Sequence, residues 1–299
     1  MARTGRGVSE PAVTARDIRI GILLVLGGTA LFGCGESVVK LLARHYDTTQ
    51  IVWGRYVFHA IVFLAIFARS GIAAQMRTAR PWLQFSRSAI LLLGTLLFFS
   101  ALRYLPLADA VAINFFAPLL VTAFSIPMLK EQVGIRRWIA ILVGFAGVMV
   151  IIRPGLGVMH WAAALPLGTA VCYALYQVLT RMAGRTDHAR TSLLWSAAVG
   201  TVVMSFLVPF RWTAPDSWGW LMMAATGCLF GLGHYLLIKG LERAPASLLS
   251  PFIYSQLIWA TTLGLLVFGD FPDGYSILGA LIVTGSGLYV WHRETRRTR

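Results

Sequence analysis

Residues 18–43 read IRIGILLVLGGTALFGCGESVVKLLA, an apolar run interrupted by only three charges, Arg19, Glu36 and Lys40. About 20 predominantly apolar residues suffice for a helix to cross the roughly 30 Å hydrocarbon layer, so this stretch spans with residues to spare. A barrel strand would be about 10 residues long and alternate apolar with polar. This run is too long and too uniform for that, and unpaired backbone groups in lipid leave the helix as its conformation. Comparable runs follow near 50–68, 83–102, 107–129, 138–153, 161–180, 191–210, 218–240, 246–268 and 276–292. Of the 299 residues 57% are hydrophobic and 13% charged, which is more apolar surface than one water-soluble core hides. The expected fold class is all-α integral membrane, with ten transmembrane helices.

The formal net charge of +14 admits a nucleic-acid partner in principle, but its distribution points elsewhere. Short cytoplasmic loops of membrane proteins collect Lys and Arg. The clusters around Arg16, Arg80 with Arg87, Arg136, Arg185, Lys239 and Arg297 fall on one side of a ten-span layout. Only Arg44, Arg103, Arg153 and Arg211 fall on the other. Both termini are therefore expected in the cytoplasm of a bacterial-type inner membrane, the excess charge serving orientation and lipid contact, and no nucleic acid is expected. Leu31-Phe32-Gly33-Cys34 has the look of a lipoprotein cleavage site, but Phe32 is bulky where a small residue belongs and the run continues past Cys34. Cys34, Cys172 and Cys228 all lie inside spans without metal-ligand spacing and read as small apolar fillers. No metal and no cofactor is expected.

The chain resembles itself. Gly28-Thr29-Ala30 recurs as Gly168-Thr169-Ala170, and with an offset one residue shorter Leu102, Pro106, Thr122, Glu131 and Leu142 match Leu241, Pro245, Thr261, Asp270 and Leu281. The expected organisation is a cytoplasmic tail at 1–17, one five-helix repeat at 18–153, a second at 154–292 and a basic tail at 293–299. Five is odd, so the second repeat enters the membrane in the opposite sense. Inverted repeats characterise secondary transporters, in which the substrate sits near the midplane between the halves.

The segment from Arg103-Tyr104-Leu105-Pro106 through Asn114-Phe115-Phe116-Ala117-Pro118, Lys130-Glu131, Trp138 and Gly144-Phe145-Ala146-Gly147 to Arg153-Pro154-Gly155 resembles the first EamA-type unit of the drug/metabolite transporter superfamily. Ala244-Pro245-Ala246, Phe268-Gly269-Asp270 and Gly285-Ser286-Gly287 resemble the second, with Asp270 where Glu is usual. The resemblance covers nearly the whole chain. It implies a ten-helix transporter of small metabolites, in many members an exporter of amino acids or related compounds. It is specific for the fold and poor for the substrate, because these motifs lie at helix ends and packing positions.

Ionisable side chains within spans are costly and are functional candidates by default. Glu36 and Lys40 share one face of the first helix, Arg55 and His59 one face of the second. Counting about 1.5 Å per residue from the nearer helix ends places Glu36 about 10 Å and Arg55 about 9 Å deep, so the two are able to meet. Either they form a buried ion pair that orients the helices while Lys40 snorkels to the interface, or they face a cavity, where they bind a zwitterion or Glu36 exchanges a proton. His59 either hydrogen-bonds a neighbouring helix or couples protons.

A second set is polar and aromatic. It comprises Asn114 and Phe115 in the fourth span, Tyr173, Tyr176 and Gln177 in the sixth, His234 and Tyr235 in the eighth, and Tyr254, Gln256 and Trp259 in the ninth. Aromatic walls with a few hydrogen-bonding tips suit a small amphiphilic metabolite; the same residues also serve interhelical packing. Gly227-x-x-x-Gly231 lets backbones approach closely. No G-x-S-x-G, H-E-x-x-H or phosphate-binding Lys-Ser/Thr loop occurs, which speaks against an intramembrane enzyme and an ATP-driven pump. The expected function is secondary transport by alternating access, exporting rather than importing, with amino acids as substrate. Nucleobases, vitamins and quaternary amines are the alternatives, and a purely structural membrane protein is the alternative from another class. The expected partners are a small-molecule substrate and membrane lipid, with no protein partner apparent.

Overall fold

The computed structural model describes residues 14–67, 71–129, 134–153 and 161–297. Among them ten helices are long and apolar enough to cross a membrane. The motif residues Lys130-Glu131 and Pro154-Gly155 and the arginines at 3, 6, 69 and 299 lie outside the described residues.

Helix α1 (Ala15–Leu42) starts at a capping box, in which the Asp17 amide donates to Thr14 Oγ1 at 3.1 Å and the Thr14 amide to the Asp17 carboxylate at 3.3 Å. Helix α2 (Thr48–Phe67) follows, then the single turn α3 (Ile72–Gln75) and α4 (Pro81–Ala101), whose first position holds a proline. After α5 (Leu107–Asn114) and α6 (Ala117–Leu129), α7 (Ile135–Ile152) ends on Arg153 in the left-handed region, at φ 51°. The remaining helices are α8 (Ala164–Ala183), α9 (Ala189–Leu207), α10 (Ser217–Arg243), α11 (Ala246–Ile253), α12 (Ser255–Leu263) and α13 (Gly274–Arg297).

The fourth and ninth spans, expected as single helices over 107–129 and 246–268, are each broken near the middle. In the fourth, Pro118 has no N–H for the Asn114 carbonyl, and the chain tightens so that the Phe116 amide reaches Ile113 O and the Leu119 amide reaches Phe116 O, both at 3.1 Å. In the ninth, the Leu257 amide bonds back three residues to Tyr254 O at 3.0 Å, while Ser255 Oγ donates to Phe252 O at 2.6 Å. A hydroxyl competing for a helix carbonyl favours such an interruption. The ninth span then ends in a π-helical turn over Gly264–Phe268.

Packing partners recur in matching pairs. Helix α1 lies along α10 as α4 lies along α8; α2 contacts α10 as α9 contacts α4; α12 leans on α1 as α6 leans on α8. Helices α2 and α9 meet each other, as do α7 and α13. Small residues set the closest approaches. A Cβ on Gly227 would lie 2.8 Å from the His59 amide nitrogen, so Gly227 seats α10 against α2.

Polar contacts tie distant parts of the chain at both ends of the bundle. At the end carrying the 43–47 turn, Lys40 Nζ pairs with Asp270 at 2.6 Å, Tyr46 donates to Asp216 at 2.9 Å, and Gln50 exchanges two hydrogen bonds with the Thr213 backbone. Lys40, expected in one of the two readings to snorkel to the interface, is held by a carboxylate that follows the π-helical turn. At the opposite end Thr78 and Gln84 both donate to Asp187, at 2.5 and 2.7 Å. Trp82, Trp138 and Trp161 stand exposed at helix ends, as interfacial anchors do.

Candidate functional site

The half of α1 nearest the 43–47 turn carries Glu36, 3% exposed, and its nearest donor comes from the broken ninth span. Gln256 Nε2 donates to Glu36 Oε1 at 2.6 Å, while Oε2, equally buried, has no hydrogen-bond partner among the described residues. Arg55, 2% exposed on α2, forms no ion pair with Glu36, contrary to one of the two sequence expectations. Its guanidinium instead sits among aromatic rings, with its central carbon 4.6 Å from the Phe230 centroid, 4.9 Å from Tyr56 and 5.6 Å from Phe99. Nη1 donates to Thr95 at 3.0 Å, and Nε has no acceptor among the described residues. Cation–π contacts with desolvated rings supply much of what a carboxylate would otherwise supply. The rotation of α2 about its axis decides the matter, and Gly227 fixes that rotation by bringing α10, with Phe230, against it.

Phe230 joins the two charges. A Cβ on Gly35, next to Glu36, would lie 2.8 Å from Phe230 Cε2, so the ring runs from the α1 backbone to the Arg55 guanidinium. Tyr173 of α8 packs against the same apolar core as Phe99 and Phe230, which brings the sixth span to the same cluster. His59 is not solitary. Its ring stands edge-on to Phe63 at 4.3 Å and 5.5 Å from His234, whose own ring meets Phe32 at 4.8 Å. His234 Nδ1 is 2.8 Å from Phe230 O. A carbonyl only accepts, so Nδ1 carries a proton.

The two helix breaks meet beside this chamber. The Phe115 and Tyr254 rings stack at 4.9 Å with 28° between planes, and the neighbouring Asn114 Oδ1 is buried without a partner among the described residues. Discontinuous helices in transporters expose backbone groups near the midplane in this manner.

Glu36, Arg55, His59, Tyr173, His234, Tyr254, Gln256, Asn114 and Phe115 thus come together around the chamber and the adjoining breaks. Four other sequence candidates are engaged elsewhere. Tyr176 accepts from Arg87 at 3.2 Å, Gln177 is exposed, Tyr235 lies 5.8 Å beneath Lys239 Nζ, and Trp259 packs its Cβ on Gly33 with its indole partly exposed. Sequence reading missed Phe32, Tyr56, Thr95, Phe99 and Phe230, apolar or small positions indistinguishable from packing residues until the helices are assembled. It also placed Arg87 among loop charges, whereas Arg87 is 1% exposed within α4. Its guanidinium donates to Thr180, Gln84, Tyr176, Ser196 and the Ser192 carbonyl, all between 2.8 and 3.2 Å. It clamps α4 to α8 and α9.

The cluster thus gathers stacked aromatic rings around a buried carboxyl and a buried guanidinium between helices. The family model described as EamA-like transporter family matches the chain twice, at residues 19–153 and 160–291. A "Riboflavin transporter" of Vibrio cholerae serotype O1 is 28% identical over 93% of this chain and 95% of its own, and one of Rhizobium johnstonii is 27% identical over 95% of each. An "S-adenosylmethionine uptake transporter" of Rickettsia prowazekii is 22% identical over 92% of this chain and 94% of its own. A crystal structure of a protein superposes with a TM-score of 0.63 at 19% identity, covering 95% of this chain and 99% of that one, a likeness of fold alone.

Proposed function

Because the chain belongs to the EamA-like transporter family, we propose that it carries a flat, ring-bearing vitamin of the riboflavin kind across the membrane, inward, by alternating access. The observation that carries this reading is the aromatic chamber around Arg55. Phe230, Tyr56 and Phe99 surround the guanidinium, with Phe32, Tyr173 and His234 beside them. Stacked rings gain about 1 kcal/mol beyond the area they bury, and a fused heteroaromatic ring exploits several at once. An aliphatic amino acid exploits none.

The relatives named as riboflavin transporters cover the chain almost end to end, and the S-adenosylmethionine relatives are named for uptake. Both weigh for vitamins and nucleoside-like compounds over the amino-acid export expected from the sequence. A second reading, a sulfonium-bearing nucleoside, is favoured by the partnerless Glu36 Oε2, an acid able to face a cation.

Two matches to one family model and the paired helix contacts support an inverted duplication over 18–153 and 154–292. In it the halves exchange conformations about the chamber. The charge asymmetry of the loops supports both termini facing the cytoplasm of a bacterial-type inner membrane.

The test is flux into liposomes holding purified protein, with labelled riboflavin, S-adenosylmethionine and a panel of amino acids, each with and without a proton gradient. Saturable riboflavin flux, displaced by unlabelled riboflavin, is the expected result. Amino-acid flux from folded protein that leaves riboflavin untouched would overturn the vitamin reading.

A further inference from the structure

Three hydrogen-bonding positions stand open around Glu36, two of them on buried side chains. Glu36 Oε2 is an acceptor with no donor. On one side of the carboxylate stands the Gln256 amide, whose nitrogen gives one hydrogen to Oε1 and keeps a second. Arg55, whose Nε–H has no acceptor among the described residues, lies against Phe230, the ring that also abuts Gly35 beside Glu36. Both Glu36 and Arg55 are more than nine-tenths buried. Buried polar groups are ordinarily paired, and unpaired ones are costly, so a pair of opposite character left open on neighbouring helices points to a ligand that completes both.

We propose that Gln256, Glu36 and Arg55 form a donor–acceptor–donor edge that reads the imide of a fused-ring substrate. An imide presents carbonyl, ring N–H and carbonyl in that order, the complement of this set. The substrate's N–H donates to Glu36 Oε2, and its two carbonyls accept from Gln256 Nε2 and Arg55 Nε. The ring plane meets Phe230 and its aromatic neighbours. This inference rests on the reading of the protein as a carrier of a planar ring-bearing compound and narrows it. Flavins, lumazines and uracil-type bases carry such an edge, whereas adenine and pterins, each with an exocyclic amine in place of a carbonyl, do not. Glu36 and Gln256 are then specificity-determining residues.

The deciding measurement is competition against labelled riboflavin in liposomes by unlabelled riboflavin, 3-methylriboflavin and lumichrome, which keeps the imide and lacks the ribityl chain. Wild-type protein should favour riboflavin over its 3-methyl form by at least about tenfold, since methylation removes the donor and leaves Oε2 unpaired. Lumichrome should compete. In Glu36→Ala, checked for folding by size-exclusion chromatography, and in Gln256→Leu as the second variant, the preference for the N–H form should fall to within about twofold.

Equal competition by the two riboflavins in wild-type protein sinks the imide edge while leaving riboflavin transport standing. No riboflavin transport, together with transport of another imide such as uracil that its 3-methyl form does not block, keeps the edge and removes the vitamin reading. Failure of every imide compound to bind overturns both.

Discussion

Phe115 and Tyr254 stack 4.9 Å apart at the points where the fourth and ninth spans break. They are separated by the same interval that relates Leu102 to Leu241 and Pro106 to Pro245. Each ring caps its own short helix, α5 or α11, so the stack joins two equivalent discontinuities. The pair should therefore be energetically coupled. A double-mutant cycle with Phe115→Leu and Tyr254→Leu, read by thermal melting in detergent, should give a coupling of about 1 kcal/mol. Tyr254→Phe should keep most of it. A coupling indistinguishable from zero would mean the rings are neighbours without being partners.

Arg87 tests a different kind of order. All its donors are spent on neutral acceptors of α4, α8 and α9, and Gln84 relays its charge to Asp187 by accepting from Nη1 and donating onward. Arg87→Met strips several charge-assisted bonds at once and should destabilise the protein by at least about 3 kcal/mol. Arg87→Lys has one nitrogen for a planar fork of five donors and should recover only part of that. Melting temperatures of both variants check this, and a near-neutral methionine variant would show that the cluster is dispensable.

How far the sequence foretold all this depends on the residue. The ten spans were legible because the cost of burying charge in lipid leaves long apolar runs, and Glu36, Arg55 and His59 stood out against them for the same reason. The break after Asn114 had a visible cause in Pro118; the break at Tyr254 has none at the matching place, its signal being the weaker competition from Ser255. Whether Arg55 meets Glu36 or a set of rings turns on helix rotation, which hydropathy does not encode. Arg87 was misread because it lies near a helix start in an arginine-rich stretch. Its acceptors, Thr180, Ser192 and Ser196, are about a hundred residues away in the chain.

The loop carboxylates give a pH prediction. The Gly219 backbone amide, donating at 2.7 Å, and the Tyr46 hydroxyl hold Asp216 below its ordinary value of 3.8. The Ser276 amide, with Arg153 adding to it, does the same for Asp273. A carboxyl depressed by folding stabilises the protein above its unfolded value, and that contribution disappears as pH falls through the folded one. Melting temperature should therefore drop on going from pH 5 to below about pH 4. Part of the drop should vanish in Asp216→Asn combined with Asp273→Asn. An unchanged slope in the double variant would assign the acid sensitivity to other groups.

The ion pair between Lys40 and Asp270, at 2.6 Å, joins α1 to the turn that follows the ninth span, and Phe268 lies 4.7 Å from the same ammonium. Asp270 is over a third exposed, so the pair contributes little to global stability, about 0.5–1 kcal/mol. Its larger consequence is conformational, because it links parts assigned to different repeats at one end of the bundle. Removing a bias of about 1 kcal/mol shifts a two-state population about fivefold. Asp270→Asn should therefore leave melting almost unchanged. It should also speed the reaction of the thiol introduced by Gln256→Cys, beside Glu36, with a membrane-impermeant maleimide, measured with Cys34, Cys172 and Cys228 replaced by Ala. The swap Lys40→Asp with Asp270→Lys restores opposite charges at the same place and should slow labelling again. If the swap labels as fast as Asp270→Asn, the pair is a surface contact and holds no gate.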